Sequence, residues 1–213
     1  MKIQSVISKK LFAPKRLALA ALALATLAST PAMASDNDDL RFDLVRSPAL
    51  SSVPKFVPNA HGRVTVESVG PVEIMEVTVW GLPPNTDFDF FVIQVPNGPF
   101  GLSWYQGDIE TNRLGVGYGR FVGRFNIETF IVAPGTAPAP IVFNNAFPDG
   151  SLNPKTSPIH TYHLGLWFNS PLDAMKAGGP GTVTPFNGEH NAGVQVLNTS
   201  NFPDLAGPLF KVK

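Results

Sequence analysis

The sequence predicts an all-β protein: an antiparallel β-sandwich with one short helix and one long Pro-rich loop. Three observations carry this. Short apolar stretches alternate with polar residues at the two-residue period of a strand. They recur at intervals of about 8–12 residues, each closed by a turn signal. The composition is 19 Gly, 21 Pro and 16 Phe with only 15% charged residues, which suits many turns around an aromatic core.

The balance of 16 basic and 16 acidic groups hides an asymmetry. Five of the basic groups (Lys2, Lys9, Lys10, Lys15, Arg16) lie in the first 34 residues, which hold no acid. The remainder has 11 basic and 16 acidic groups, a net charge of −5. An acidic domain disfavours nucleic-acid binding. The apolar run Leu17 to Ala28 is too short to span a bilayer, and Ala32 and Ala34 occupy the positions a signal peptidase reads. Residues 1–34 are therefore expected to be a signal peptide cleaved after Ala34. The mature protein would have no membrane span and would reside in the bacterial periplasm or the medium. There is no cysteine, which excludes disulfides and thiolate metal sites.

Along the mature chain, residues 35–59 begin acidic, contain three prolines, and read as an extended arm with one edge strand at most. Residues 60–213 form the expected domain. Val64 and Val66 alternate with polar neighbours. Val72 to Trp80 continues the alternation, with Met75, Val77 and Val79 on one face. Gly81 to Thr86 (GLPPNT) breaks it, because proline cannot donate to a ladder. Asp87 to Val95 is apolar on both faces, as a central strand requires. Leu102 to Ile109 is the next strand. Residues 115–125 then place Gly115, Gly117, Gly119 and Gly123 on the same face as Phe121 and Phe125. Such glycines imply close approach by a bulky ring, for which Trp80 and Trp104 are the candidates. Asn126 to Val132 reads as a strand, residues 133–157 as the Pro-rich loop, and Ile159 to Asn169 as a strand. Pro171 to Ala177, stopped by Gly178-Gly179, is the helix. Val194 to Leu197 and Leu209 to Val212 read as the last strands.

The cadence Val77-Thr78-Val79-Trp80-Gly81-Leu82-Pro83-Pro84-Asn85-Thr86, followed by an aromatic strand and Gly107-Asp108-Ile109-Glu110-Thr111-Asn112-Arg113-Leu114-Gly115, resembles exported bacterial β-sandwich domains of immunoglobulin or fibronectin type. The resemblance covers roughly residues 60–132 and implies an immunoglobulin-like fold. Residues 184–197 are similar to a stretch of uncharacterised secreted proteins. Neither likeness transfers a catalytic residue.

Two residue sets are candidate sites. Aromatic and guanidinium groups at Trp104, Tyr118, Arg120, Arg124 and Trp167 could line a groove for a peptide or carbohydrate. His160, His163, Glu189 and His190 supply imidazole and carboxylate, the usual zinc or copper ligands where thiolate is lacking. His160 and His163 fall on opposite faces of a strand, so only a fold that bends the chain would join them. The face-sharing pairs Asp87 with Asp89 and Asp108 with Glu110 offer oxygen ligands for calcium but lack the loop spacing of a calcium hand. Nucleophile elbows, H-E-x-x-H helices and phosphate loops are missing from the sequence. The expected function is a non-enzymatic binding, surface or assembly module, without an obligatory cofactor and able to self-associate through a sheet edge. The alternative is a metal-binding protein or metal-dependent enzyme using the His/Glu set.

Overall fold

The computed structural model describes residues 39–131, 159–185 and 190–213. The described residues belong to one compact unit, Asp36–Lys213. The expected signal peptide, the whole of the Pro-rich loop at 133–157 and Glu189 lie outside the described residues.

Eight strands form one antiparallel sheet. They are β1 (Leu40–Arg46), β2 (His61–Val69), β3 (Val72–Trp80), β4 (Asp87–Ile93), β5 (Ser103–Glu110), β6 (Gly117–Gly123), β7 (His163–Phe168) and β8 (Gln195–Asn198). The order is β5-β4-β7-β8-β1-β2-β3-β6. A bridge between Thr111 and Gly117 joins the two ends of that order, so the sheet nearly closes into a barrel. Among the described residues there is very little helix: α1 (Pro171–Lys176) and two short 3-10 turns.

β1 corrects the expectation of an arm. Leu40 to Leu44 pair with β2, while Val45 and Arg46 pair with β8. One strand thus joins the two halves of the sheet. Its Phe42 and Leu44 are buried while Arg41 and Asp43 are exposed. The prolines that suggested an arm begin only at Pro48, beyond the strand.

The main core gathers the inward residues of both halves: Val64, Val66, Met75, Val77 and Val79 from β2 and β3, with Phe88, Phe90, Leu164, Leu166 and Phe168 from β4 and β7. Each fully buried side chain of this kind contributes about 1.5–3 kcal/mol. β4 is paired on both sides, by β5 and β7, in accord with its two apolar faces.

The rings over the glycine face of β6 are phenylalanines rather than tryptophans: Phe121 over Gly119 and Phe125 over Gly123, while Gly117 meets Ile109 and Val79. A Cβ on Gly119 would lie 2.8 Å from the Phe121 ring and 3.0 Å from Ile109. Across the seam, β5 has a bulge opposite Phe90 and Phe91, where Gly107 adopts φ +149°. A Cβ there would lie 2.8 Å from the same ring. Phe121 also stacks on Phe90, with centroids 5.3 Å apart at 13°. It therefore fills the gap where the β5–β6 ladder stops. Trp80 instead faces outward beside His61, and Trp104 is half-buried with its indole N–H donating to Gln106 at 3.1 Å.

Two further expectations differ. Residues 126–131 are a turn, not a strand. The Asn126 side chain accepts from the Glu128 N–H and the Thr129 hydroxyl, and only Ile131 makes a bridge, to Ile159. Leu209 to Val212 is mostly a 3-10 turn, Pro208–Lys211, started by a proline already set for helical φ. α1 forms where expected: Pro171 opens it, and the Ser170 hydroxyl accepts from the Asp173 N–H, a cap worth about 1 kcal/mol.

The GLPPNT and TNRLG turns, which carried the family likeness, form one interlocked unit. The Thr111 hydroxyl donates to the Pro83 carbonyl at 2.6 Å and accepts from the Thr86 N–H at 3.0 Å. Gly115, at φ +70°, lies so close to the Leu82 carbonyl that a Cβ would come within 2.0 Å of its oxygen.

Candidate functional site: an apolar groove outside the barrel

The β4–β7 pair is apolar on its outer face as well as its inner one. Phe91, Ile93, Trp167 and Ala192 form a second buried cluster there, with Phe100 packed against it. Trp167 meets Phe91 and Phe100 edge to face, at 5.3 and 5.0 Å. Water must be kept off this face, so chain segments cover it, and a groove remains between them. Its volume is about 790 Å³, within the ~300–1,000 Å³ range of ligand sites. Pro99, Phe100 and Leu102 form one wall, Val183 and Pro185 the other, and Trp167 and Val194 the floor. Ser103, Thr182, Thr184 and Gln195 supply the polar groups.

Both walls are tied down. In the first, the Gln94 N–H donates to the Leu102 carbonyl at 2.8 Å, and the Leu102 N–H donates back to the Gln94 side chain at 3.1 Å. Thr184 anchors the second through two 2.8 Å backbone bonds with Ala192 and a hydroxyl bond of 2.8 Å to the Gly193 carbonyl. Beneath the groove lies a buried polar network. The Gln195 side-chain oxygen accepts from the Ser47 hydroxyl at 2.6 Å and from the Asn198 amide at 2.8 Å. Both amides donate to the Pro96 carbonyl, at 3.1 and 2.9 Å. Leaving one such buried group unpaired would cost about 1–3 kcal/mol, so the network holds β8, the loop after β4 and the residue after β1 in one arrangement. Asn198 heads an Asn-Thr-Ser triplet, but its complete burial removes it as a glycan acceptor in the folded chain.

Of the residues the sequence nominated for binding, Trp167 is in the groove. Tyr118, Arg120 and Arg124 lie on the outer wall of β6, and Trp104 lies at the inner edge of β5. The Tyr118 hydroxyl donates to Glu76 at 2.8 Å, and this bond with a carboxylate holds its pKa above the usual phenol value. The sequence reading did not nominate Leu102, Val183 or Val194 for binding: it took Leu102 and Val194 only as the first residues of strands, and Val183, between Gly181 and Pro185, belongs to no periodic run.

The nominated metal ligands occupy different surroundings. His163 is fully buried; the Thr199 hydroxyl is 2.8 Å from Nδ1, and Nε2 faces the Pro203 and Asp204 carbonyls, both at 3.1 Å. Both ring nitrogens are thus committed to holding the C-terminal segment. Burial pushes its pKa below the ordinary histidine value. His160 stacks on Tyr162 at 5.1 Å and places Nδ1 3.0 Å from the Thr129 carbonyl. His190 lies on the surface, with Nδ1 3.4 Å from the Asn191 carbonyl. The Ser170 hydroxyl, donating to Asp173, holds that carboxyl below the usual range. Asp87 stands opposite Glu110 and Asp89 opposite Asp108 across β4 and β5, which aligns the two acidic pairs on one face. Among the described residues, no three His, Asp or Glu side chains converge as metal ligands, and no helix is long and apolar enough to cross a membrane.

Comparison with protein-family models gives no match, and comparison with the curated proteins gives none either.

Proposed function

We propose that this is an exported protein of immunoglobulin-like β-sandwich type that acts as a binding module, with the groove over Trp167 as its site. One observation carries the reading: an apolar channel lies outside the main core, on a floor fixed by a fully bonded amide network. A protein needing only stability would close such a face with side chains, since an unfilled apolar surface forfeits burial energy. Two apolar walls over an apolar floor, with four dispersed polar groups, suit a ligand with an apolar body and few charges. The sandwich description rests on β1, which passes from one hydrogen-bonded half to the other, and on the single core between the halves. Export rests on the leader sequence. The histidine-based alternative has no converging ligand set behind it among the described residues.

Anilinonaphthalene sulfonate, a fluorescent probe of apolar sites, tests the reading. It should bind with one-to-one stoichiometry, and Val183→Asp should weaken it about tenfold or more, because a carboxylate on the wall opposes an apolar guest. Val183 is 56% exposed, so the substitution spares the fold. Absence of dye binding, or equal binding by Val183→Asp, would overturn the assignment.

A further inference from the structure

The loop after β4 carries an Asn-Gly pair on the surface. Asn97 and Gly98 are both exposed, between the buried Pro96 and the groove wall at Pro99 and Phe100. The sequence holds one other such pair, Asn187-Gly188, outside the described residues. The chemistry open to the pair is general. The backbone nitrogen after an asparagine, once it loses its proton, can attack the side-chain carbonyl carbon and close a cyclic imide. A Cβ on the following residue hinders that approach, and glycine has none.

The fold favours the step in two ways. Among the described residues the Gly98 N–H makes no hydrogen bond, so none has to break before its nitrogen attacks. The Asn198 side-chain amide donates to the Asn97 side-chain oxygen at 3.3 Å, and is itself held by the Pro96 carbonyl at 2.9 Å and the Gln195 side chain at 2.8 Å. A fixed donor thus faces the oxygen on which negative charge develops as the ring closes.

We propose that Asn97 is a site of spontaneous modification, converting to aspartate and isoaspartate, and that the isoaspartyl form loosens the groove wall. The Gly98 nitrogen bonds to the Asn97 side-chain carbon, and the bond from that carbon to the amide nitrogen breaks, releasing ammonia. Water then opens the imide at either of its carbonyls. One opening gives aspartate; the other routes the main chain through the former side chain. Water is consumed, ammonia is released, and nothing is oxidised or reduced. The isoaspartyl chain is longer by a methylene between Pro96 and Pro99. Gln195 and Asn198 pin the Pro96 carbonyl, and the Val95 N–H closes the loop by donating to the Phe100 carbonyl at 3.2 Å. The added length therefore falls on that bond and on the contact of Phe100 with Trp167. The modification stands whether or not the groove holds a ligand.

Incubation of the purified protein at mildly alkaline pH tests this, with a second sample unfolded in urea as the clock. Peptide mass analysis should show the Asn97 amide replaced by acid, and isoaspartyl methyltransferase should label that peptide. Exposed loops open at little free-energy cost, so the native rate should lie within about tenfold of the unfolded one. Gly98→Ala should slow native conversion about tenfold or more. A Cβ there meets only the Phe100 ring, at an ordinary 3.6 Å, so the variant keeps the fold. In the isoaspartyl form the Val95 amide should lose its protection from hydrogen exchange. A native rate more than about tenfold below the unfolded one, or equal rates in Gly98→Ala and the parent chain, would overturn the site. Retained protection at Val95 would overturn the loosening of the wall.

Discussion

The two halves of the sheet solve the same burial problem differently. In the β2–β3–β6 half only one face is apolar. Its outer face carries Arg63 paired with Asp43 at 3.0 Å, Glu76 between Tyr118 and Arg120, and Trp80 beside His61. Water completes that face, and nothing needs to cover it. In the β4–β7 half both faces are apolar, so the outer one must be roofed by loops, and the imperfect roof leaves the groove. A one-sided strand pattern makes a wall; a two-sided pattern makes a wall that also requires a cover, and a cover can leave a site.

The sharpest way to break that comparison is to remove a tryptophan from each half. Trp167→Ala, at a fully buried site, should cost about 3–5 kcal/mol in a denaturant titration. Trp80→Ala, at a residue 36% exposed, should cost under about 1 kcal/mol. Equal losses would show that the outer faces are not different in kind.

A smaller effect separates the halves by pH. Burial lowers the pKa of His163, so the folded chain binds that proton less readily than the unfolded one. The stability due to neutral His163 is complete above the unfolded histidine pKa of about 6.5. It declines as pH falls below that value and levels off below the folded pKa. Unfolding titrations between pH 7.5 and 5 should show this slope, and His163→Gln should flatten it even if the variant is weaker throughout. An unchanged slope in His163→Gln would assign the titration elsewhere.

Legibility in the sequence followed the same division. β3 and β4 were plain because alternation in one, and apolar residues on both faces in the other, cover nine and seven consecutive residues. β1 was obscured by the acidic residues before it and the prolines after it, although Phe42 and Leu44 alternate with Arg41 and Asp43 as strictly as in any other strand. The glycines of β6 announced a ring but not whose. At Gly119 the ring belongs to the same strand, two residues on, and reaches back over it, a contact that pattern reasoning about neighbouring strands overlooks. Of the groove, Trp167 was legible as a large aromatic in an apolar run. The wall residues come from loops whose positions are set by tertiary hydrogen bonds, such as Gln94 to Leu102, and no local period encodes these. Gln195 and Asn198 did leave a trace, as amides inside the apolar run VQVLN, where burial would demand partners.

The most direct measurement is methyl NMR of the protein titrated with the dye. Binding over Trp167 predicts that Leu102, Val183 and Val194 shift together, with one dissociation constant, while the exposed Val69 and Val122 of the other half stay fixed. Shifts at Val69 or Val122 with none at the groove, or no saturable shift anywhere, would contradict the account.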